Sequence, residues 1–575
     1  MSMALFSDPQ TASALLPEFT LIVGIVLMIL VPNLGKGTFR VPIPNTNIRI
    51  PYLLGGERFS FTSSPRIPGL ISVITLLFST SLALWSQMET PLSGSNVWCI
   101  STAGEAFASC AGMADPTVFQ IDGFSRLLEI VFYGSLMLCA VAMWSRMPAT
   151  PRFMIHAQVL AGRREDERIQ KLLDNRRQVD FHLLLLMVAL GMSVVALASD
   201  VFVLFIGLEL ASLSSYVLIA FMKEKEEAPE AGMKYFILGS VASAVGLYGV
   251  SLLYLWNGNL QISDLAASWQ AMDGIDPMAL TGIAFLMVTI GFKISAAPFH
   301  LATPDAYTGA ASPVAGVLAT GSKAMGFVVL LRVLVTITMP ESGEAFWVPI
   351  IGLLAAITMT WGNLGALSSD NPKRMLAYSS VAHAGYLLAA VAALGLNQAR
   401  AGDHVISELI VAAMLFHLTV LVLFKLGSFL VLSMLESEGK GSKIEDLYGL
   451  AKREPLLATA LFVFMLALAG VPPLAGFLSK LLLVSGIVDA TVHTSMSFDD
   501  GVLATLQSLH WVVYLGLLVF LNSALSLYYY LRVGWVMFFE DPPTRKRMVY
   551  APFLRITIML CLVGTLAFGI GPLAD

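Results

Sequence analysis

Charge is scarce in this sequence. Asp, Glu, Lys and Arg make up 13% of its 575 residues, where soluble domains carry about 25%. With 57% hydrophobic residues and a mean hydropathy of +0.77, a soluble core under a solvated skin is excluded. The class that remains is an all-α polytopic membrane protein, for which length does not count soluble domains. Cysteine is scarcer still. Four are present, none in a CxxC or a ligand cluster, so iron–sulfur, haem and zinc sites, and cofactors held by this chain itself, are not expected. Cys99 and Cys110 share one loop; they either pair in an oxidising compartment or stay as two free thiols. No phosphate-binding glycine motif, low-complexity tract or basic–aromatic patch occurs, so nothing points to a nucleotide or a nucleic acid. A cleavable signal pattern is missing too. The first apolar run, LLPEFTLIVGIVLMILVP, has an acidic, cation-free front and is long enough to span, so it reads as a retained helix.

What is there is a series of apolar stretches. They divide into 14 helices, at roughly 13–33, 68–88, 119–144, 181–199, 201–221, 230–256, 278–305, 313–338, 346–368, 375–395, 405–435, 455–489, 507–538 and 550–572. Each offers about 20 apolar residues, enough for a hydrocarbon core of about 30 Å. The fourth and fifth meet at Ser199-Asp200. The loops test this count. Those after odd-numbered spans hold Lys36, Arg40, Arg49, Arg58 and Arg66, then eight cations from Arg146 to Arg177. Lys223, Lys225, Lys373, Arg374, Lys440, Lys443, Lys452, Arg453, Arg545, Lys546 and Arg547 follow. Loops after even-numbered spans hold Arg400 alone. An asymmetry of 24 to 1 follows the positive-inside rule, and it puts both termini on the non-cytoplasmic side. The basic loop at 146–180 is partly helical in pattern. It serves either as a lipid-contacting topogenic loop or as a docking surface for a partner.

Nine cations remain inside the spans: Arg126, Lys234, Lys293, Lys323, Arg332, Lys425, Lys480, Arg532 and Arg555. Arg126, Arg532 and Arg555 lie near helix ends, where a long side chain snorkels or pairs. Lys293, Lys323 and Lys480 are different. Lys293 is about 15 residues into its span and Lys323 about 10, which at 1.5 Å per residue is near mid-depth. A central charge costs roughly 2.5–3.5 kcal/mol, so several in one chain call for a polar or hydrated interior. A lysine there can give up its proton, where an arginine cannot. Glu209, in LFIGLELASLSSY, is the acidic counterpart at similar depth. Facing Lys293 or Lys234, it would form either a switchable buried pair or a static salt bridge.

Prolines interrupt two spans. Pro298 and Pro304 in GFKISAAPFHLATPDAYTG, and Pro472 and Pro473 in GVPPLAGFLSK, cannot sit in an unbroken helix. Freed backbone groups at membrane depth are tolerated only inside protein or beside water. The breaks fall in spans 7 and 12, five helices apart, which predicts two inverted five-helix repeats, spans 4–8 and 9–13. The chain then divides at 1–180, 181–340, 341–540 and 541–575. His383 sits mid-helix in span 10. His417 and Lys425 lie eight residues apart on one face of span 11. Histidine carries protons near neutral pH, although a lone buried histidine is as readily a satisfied structural residue.

These stretches, with EAGMKYFILGSVASAVGLYG, SPVAGVLATGSKAMGF and NPKRMLAYSSVAHAGYLL, resemble the antiporter-like membrane subunits of respiratory complex I, most closely the NADH-quinone oxidoreductase subunit N family. The resemblance runs from about residue 181 to 490. Subunit L would carry a long lateral helix after its last core span, which the sequence up to Asp575 does not include. The resemblance implies a proton path through Glu209, Lys234, Lys293, Lys323, His383, His417, Lys425 and Lys480. It also implies quinone, flavin and iron–sulfur centres in partner subunits. Partners would be a neighbouring antiporter-like subunit, small membrane subunits and lipids, in an energy-coupling membrane. Relatives draw electrons from NADH, ferredoxin or a reduced deazaflavin. Two other readings stand beside it: a subunit of a multisubunit Na⁺/H⁺ antiporter of the same fold, and a scaffold whose charges only hold helices together. Lysines, not carboxylates, dominate the centre, which weighs against sodium. The departures from the family lie in the first 180 residues, where the loops at 34–67, around Cys99 and Cys110, and at 146–180 look enlarged.

Overall fold

A computed structural model describes residues 13–31, 34–40, 49–53, 66–89, 98–101, 106–109, 117–144, 166–223, 225–272, 274–340, 343–396, 405–492, 510–543, 548 and 551–570. Twelve helices among them are long and apolar enough to cross a membrane, and Leu16–Leu30 and Pro455–Ala469 are shorter apolar helices. In chain order the fourteen spans are Leu16–Leu30, Ile67–Glu89, Gly123–Met143, Asp166–Leu197, Val201–Ile219, Glu227–Asn257, Pro277–Ile294 with its continuation to Gly309, Ser312–Ile337, Val348–Leu367, Pro372–Leu394, Val405–Glu436, Pro455–Ala469 with Ala475–Val492, Val513–Phe539 and Pro552–Ile570. In each set of five, spans 4–8 and 9–13, the fourth member is broken.

Short polar residues start several of these helices. Asp122, Asp276 and Asn371 accept backbone N–H groups of their first turns, at 2.7 Å, 2.7 Å and 2.9 Å for the shortest of each, which satisfies donors that a helix start leaves open. Asp200 does the same between spans 4 and 5, accepting from Phe202 at 2.8 Å and Val203 at 3.1 Å. The junction at Ser199-Asp200 is therefore a real helix boundary, held by a cap instead of a loop.

Three features depart from the sequence reading. Span 4 begins at Asp166 as one helix of 32 residues, because EDERIQKLLDNRRQ consists mostly of good helix formers. Span 8 is interrupted at Thr320 and ends as a π-helix over Leu331–Ile337. Two small antiparallel sheets also occur: Leu34–Arg40 pairs with Arg49–Leu53, and Trp98–Ser101 lies between Ala106–Ser109 and Thr117–Ile121. They occupy segments read as loops, too short for their alternation to stand out. Cys110, the side chain of Cys99 and most of the basic loop at 146–180 lie outside the described residues.

The chain forms two compact units, residues 1–197 with 206–229, and residues 198–205 with 230–575. In the second unit, span 8 is buried at every residue from Ser312 to Leu331, and span 10 at every residue from Ser379 to Leu394. A helix with no lipid-facing side can carry polar groups on any face, and these two spans carry Lys323 and His383.

Candidate functional site

The two broken helices share one solution to the same problem. Span 7 stops at Ile294, with Ser295 in the left-handed region at φ 60°. The chain then takes a single turn at Phe299–Ala302 before Thr303–Gly309. The last carbonyls of a helix have no partner within it. The Ile294 carbonyl accepts from Lys323 Nζ at 3.2 Å, and the same ammonium donates to the Ser380 carbonyl at 2.9 Å. Span 12 stops at Ala469, with Gly470 at φ +84°. Here Lys480 Nζ donates to the carbonyls of Leu468 at 2.8 Å and Ala469 at 3.1 Å, and to Ser523 Oγ at 2.8 Å. Each break thus exposes the negative end of a half-helix to an ammonium, which answers both the open carbonyls and the helix dipole.

Glycine at 470 is required by this geometry. A Cβ there would lie 3.1 Å from Lys480 Cδ and 3.5 Å from its Nζ, on a backbone that L-residues disfavour. Gly470→Ala is expected to cost about 1–2 kcal/mol from the backbone conformation alone. Thermal denaturation of the purified assembly would show it as a lowered melting temperature.

Between the breaks lies a hydrogen-bonded chain. His383 Nδ1 and His417 Nε2 are 3.1 Å apart, with ring planes 29° from parallel. His417 Nδ1 is 3.0 Å from Ser479 Oγ, which donates to the Gly476 carbonyl at 3.0 Å. Proton counting sets the direction. Ser479 has one hydroxyl hydrogen and spends it on Gly476, so it accepts from His417 Nδ1–H. Neutral His417 then accepts at Nε2, so His383 donates from Nδ1. Every bond runs from His383 towards Ser479, the neighbour of Lys480.

At the other end, His383, Lys323, Thr320, Ser380, Leu421 and Lys425 help to line a small cavity with room for about one water. Lys425 Nζ donates to Ser379 Oγ, which is 2.5 Å from Tyr530 OH. Tyr386 stands between the two ends, 5.4 Å from the His383 ring and 5.5 Å from Lys480 Nζ, and its hydroxyl accepts from Asn363 at 3.1 Å. His417 and Lys425 are wholly buried, and Lys323, His383 and Lys480 nearly so.

The structure therefore brings Lys323, His383, His417, Lys425 and Lys480 into one site. Lys293 is buried at the span 7 break, next to the Ile294 that takes Lys323, with its ammonium 5.7 Å from the Phe292 ring and its Cβ near Gly326 of span 8. Lys234 lies at the surface of its unit, 49% exposed, paired with Glu230 at 2.6 Å and with Asp305 at 3.4 Å. Asp305 also takes Arg374 at 3.0 Å. Glu209 is half-buried on span 5, in the first unit. Among the charges read as snorkelling or paired, Arg532 pairs with Asp370 at 2.7 Å and Arg555 with Glu454 at 3.1 Å. Arg126 pairs as well, but it does so fully buried.

Sequence reasoning missed Ser379, Ser380, Ser479, Tyr386, Tyr530 and Asn363. One signal was available: the Ser-Ser pair of LAYSSVAHAGY precedes His383 by three and four residues, the helical spacing that shares a face. No group of three or more His, Cys, Asp or Glu suited to a metal occurs among the described residues.

Residues 198–506 match the family model described as NADH:quinone oxidoreductase/Mrp antiporter, TM. NADH-quinone oxidoreductase subunit N of Heliobacterium modesticaldum is 39% identical over 404 residues, 70% of this chain and 77% of the relative. NADH-quinone oxidoreductase subunit N 1 of Solibacter usitatus is 31% identical over 571 residues, 98% of this chain and 96% of the relative. A chain of respiratory complex I from Thermus thermophilus superposes with a TM-score of 0.65 at 26% identity, over 97% of both chains. A chain of the Mrp complex from Dietzia sp. gives a TM-score of 0.71 at 20% identity, over 98% of this chain and 95% of that one, a likeness of fold alone.

Proposed function

Because the chain belongs to the NADH-quinone oxidoreductase subunit N family, we propose that it is a proton-translocating membrane subunit of a complex-I-like quinone reductase. It is an integral membrane protein. Its partners are the other membrane subunits of such an assembly, as in the multisubunit complexes that its structural relatives come from. Electron transfer belongs to those partners, where quinone, flavin and iron–sulfur centres would sit. This chain supplies the proton path. Both termini face the non-cytoplasmic side, a reading supported by the 24-to-1 distribution of loop cations.

The observation that carries the reading is the polar chain from one helix break to the other. A proton reaches Lys323 at the span 7 break, crosses the one-water cavity and enters at His383 Nε2, the ring nitrogen left without hydrogen. His383 Nδ1–H then passes to His417 Nε2, and His417 Nδ1–H to Ser479 Oγ as the Ser479 hydroxyl turns from the Gly476 carbonyl and gives its own proton to a water beyond it, so one proton enters and one leaves. Lys480 and Lys425 flank this route. A proton on the histidine pair adds a positive charge among ammonium groups, and their repulsion drives it onward when a neighbouring charge changes. Lys293 stands at the entrance of the path. Glu209 and Lys234 would each act within its own unit, by changing the local charge as the neighbouring subunit switches. The likeness to an Mrp chain extends to fold only, and lysines at both breaks favour protons over sodium.

The test is proton pumping by the assembled complex in vesicles, wild type against Lys293→Ala and Lys323→Ala. Electron-transfer rate and subunit content are recorded on the same samples. Both variants are expected to keep the subunit and to lose pumping by about a hundredfold, the lower end of the range for a positioned proton-transfer group. Normal pumping in both would leave the lysines structural and return the scaffold reading.

A further inference from the structure

The first unit contains a second ionisable cluster, separate from the path above. Arg126, Glu129 and Ser193 are wholly buried there and Glu18 nine-tenths so. Arg126 donates from Nη1 to Glu129 Oε2 at 2.5 Å and to Glu18 Oε1 at 3.4 Å, from Nε to Ser86 Oγ at 3.1 Å, and from Nη2 to the Ala14 carbonyl. Tyr133 OH donates to Glu129 Oε1 at 3.2 Å. Ser193 Oγ lies between the two carboxyls, 2.7 Å from Glu129 Oε1 and 3.0 Å from Glu18 Oε1. Glu18 Oε2 is buried with no hydrogen-bond partner.

Counting charges and hydrogens leads to one arrangement. Two buried carboxylates would face one guanidinium, leaving a negative charge uncompensated, which burial makes costly. Ser193 has one hydroxyl hydrogen and two carboxyl oxygens within hydrogen-bond distance. It can donate to one only; the other must donate to it, and a carboxyl donates only when protonated. Glu129 has three donors, Arg126, Tyr133 and Ser193, and is the better carboxylate. Glu18 has a long contact to Arg126 and an unpartnered oxygen, and is the better acid. Among the described side chains, the remaining charged or polar groups on the packed elements do not change the count. Span 1 adds no other charge to the cluster, span 2 contributes Ser86, and Asp122 is occupied by the Ser125 N–H at 2.7 Å. His182 lies three turns away along span 4.

We propose that Glu18 and Glu129 share one exchangeable proton through Ser193, making the N-terminal unit a proton-binding site outside the lysine–histidine path. Transfer is balanced: Glu18 gives its proton to Ser193 Oγ as the Ser193 hydroxyl proton moves to Glu129, leaving Glu18 ionised and Glu129 neutral with no net charge created. The three elements meet at one end of the unit, since Glu18 is in the first turn of span 1, Glu129 in the second of span 3 and Ser193 one turn from the end of span 4. An apolar cluster of Ala14, Leu15, Ile121 and Leu197, with Phe19 and Phe119 against it, adjoins the site at that end and sets it apart from water.

The experiment is infrared difference spectroscopy of the assembled complex in H₂O and D₂O, wild type against Glu18→Gln and Glu129→Gln. Glu18→Gln replaces a neutral acid by a neutral isostere. It is expected to assemble within about twofold of wild type and to lose one protonated-carboxyl band that shifts in D₂O. Glu129→Gln is expected to lose the same band, because Glu18 then ionises to balance Arg126. The double variant leaves Arg126 unbalanced, and its assembly is expected to fall more than about tenfold. Loss of a carboxylate band in place of the protonated one in Glu18→Gln overturns the proposal. So does failure of that variant to assemble.

Discussion

Replacing His417 by leucine is expected to reduce proton translocation by more than about a hundredfold, the scale on which positioned proton-transfer groups contribute. His417 is the middle member of the chain from His383 to Ser479, and both of its nitrogens are engaged. Leucine keeps most of the volume and removes both. The measurement is protons moved per quinone reduced in sealed vesicles, normalised to subunit content. Ser479→Ala provides the graded comparison. It removes the last acceptor but leaves the two rings in register, so a water can stand in for the hydroxyl and the loss is expected to be smaller. Equal losses in the two variants would mean that the serine, and not the ring pair, limits the path.

Arg126→Ala is expected to destabilise the subunit by about 3–5 kcal/mol, the range for breaking a buried ion pair by removing one partner. That is a large share of the 5–15 kcal/mol by which proteins are commonly stable, so the visible result is loss of the subunit from the membrane fraction. Quantitative immunodetection of the subunit, alongside its neighbours, measures this directly. Arg126→Lys keeps the charge but cannot reach Glu129, Glu18, Ser86 and the Ala14 carbonyl together, since an ammonium has no planar fork. Partial recovery is expected. A level as low as that of alanine would mean that geometry outweighs charge at this site.

The parts of this architecture legible in the sequence are those that break a hydrophobic pattern. Lys323 and Lys480 stand out because a charge at mid-depth has no bland explanation, and Pro298 and Pro472 because they interrupt apolar runs. Fourteen spans follow from apolar length and the loop cations. Acceptors are not legible in the same way. The carbonyls of Ile294, Leu468 and Ala469 are backbone, and every residue has one. Ser379 and Ser479 are unremarkable serines until the fold sets them beside Lys425 and His417. Arg126 was visible, but its partner Glu18 lies 108 residues away at a helix start, where an acid usually needs no explanation. Lys234 errs in the opposite direction: its place in an apolar helix suggests burial, while it faces the outside of its unit beside Glu230, one turn earlier.

Lys480 holds three acceptors, and an ammonium has three hydrogens to offer them. A neutral amine has two. When the proton leaves, the two remaining N–H groups stay on the carbonyls of Leu468 and Ala469, and the freed lone pair accepts from the Ser523 hydroxyl, which until then donates to Ala469 at 3.2 Å. The charge state of one nitrogen is therefore written into the direction of one hydroxyl at the break in span 12. Span 13, which carries Ser523, thereby registers whether a proton is present at the end of span 12 without either helix having to move.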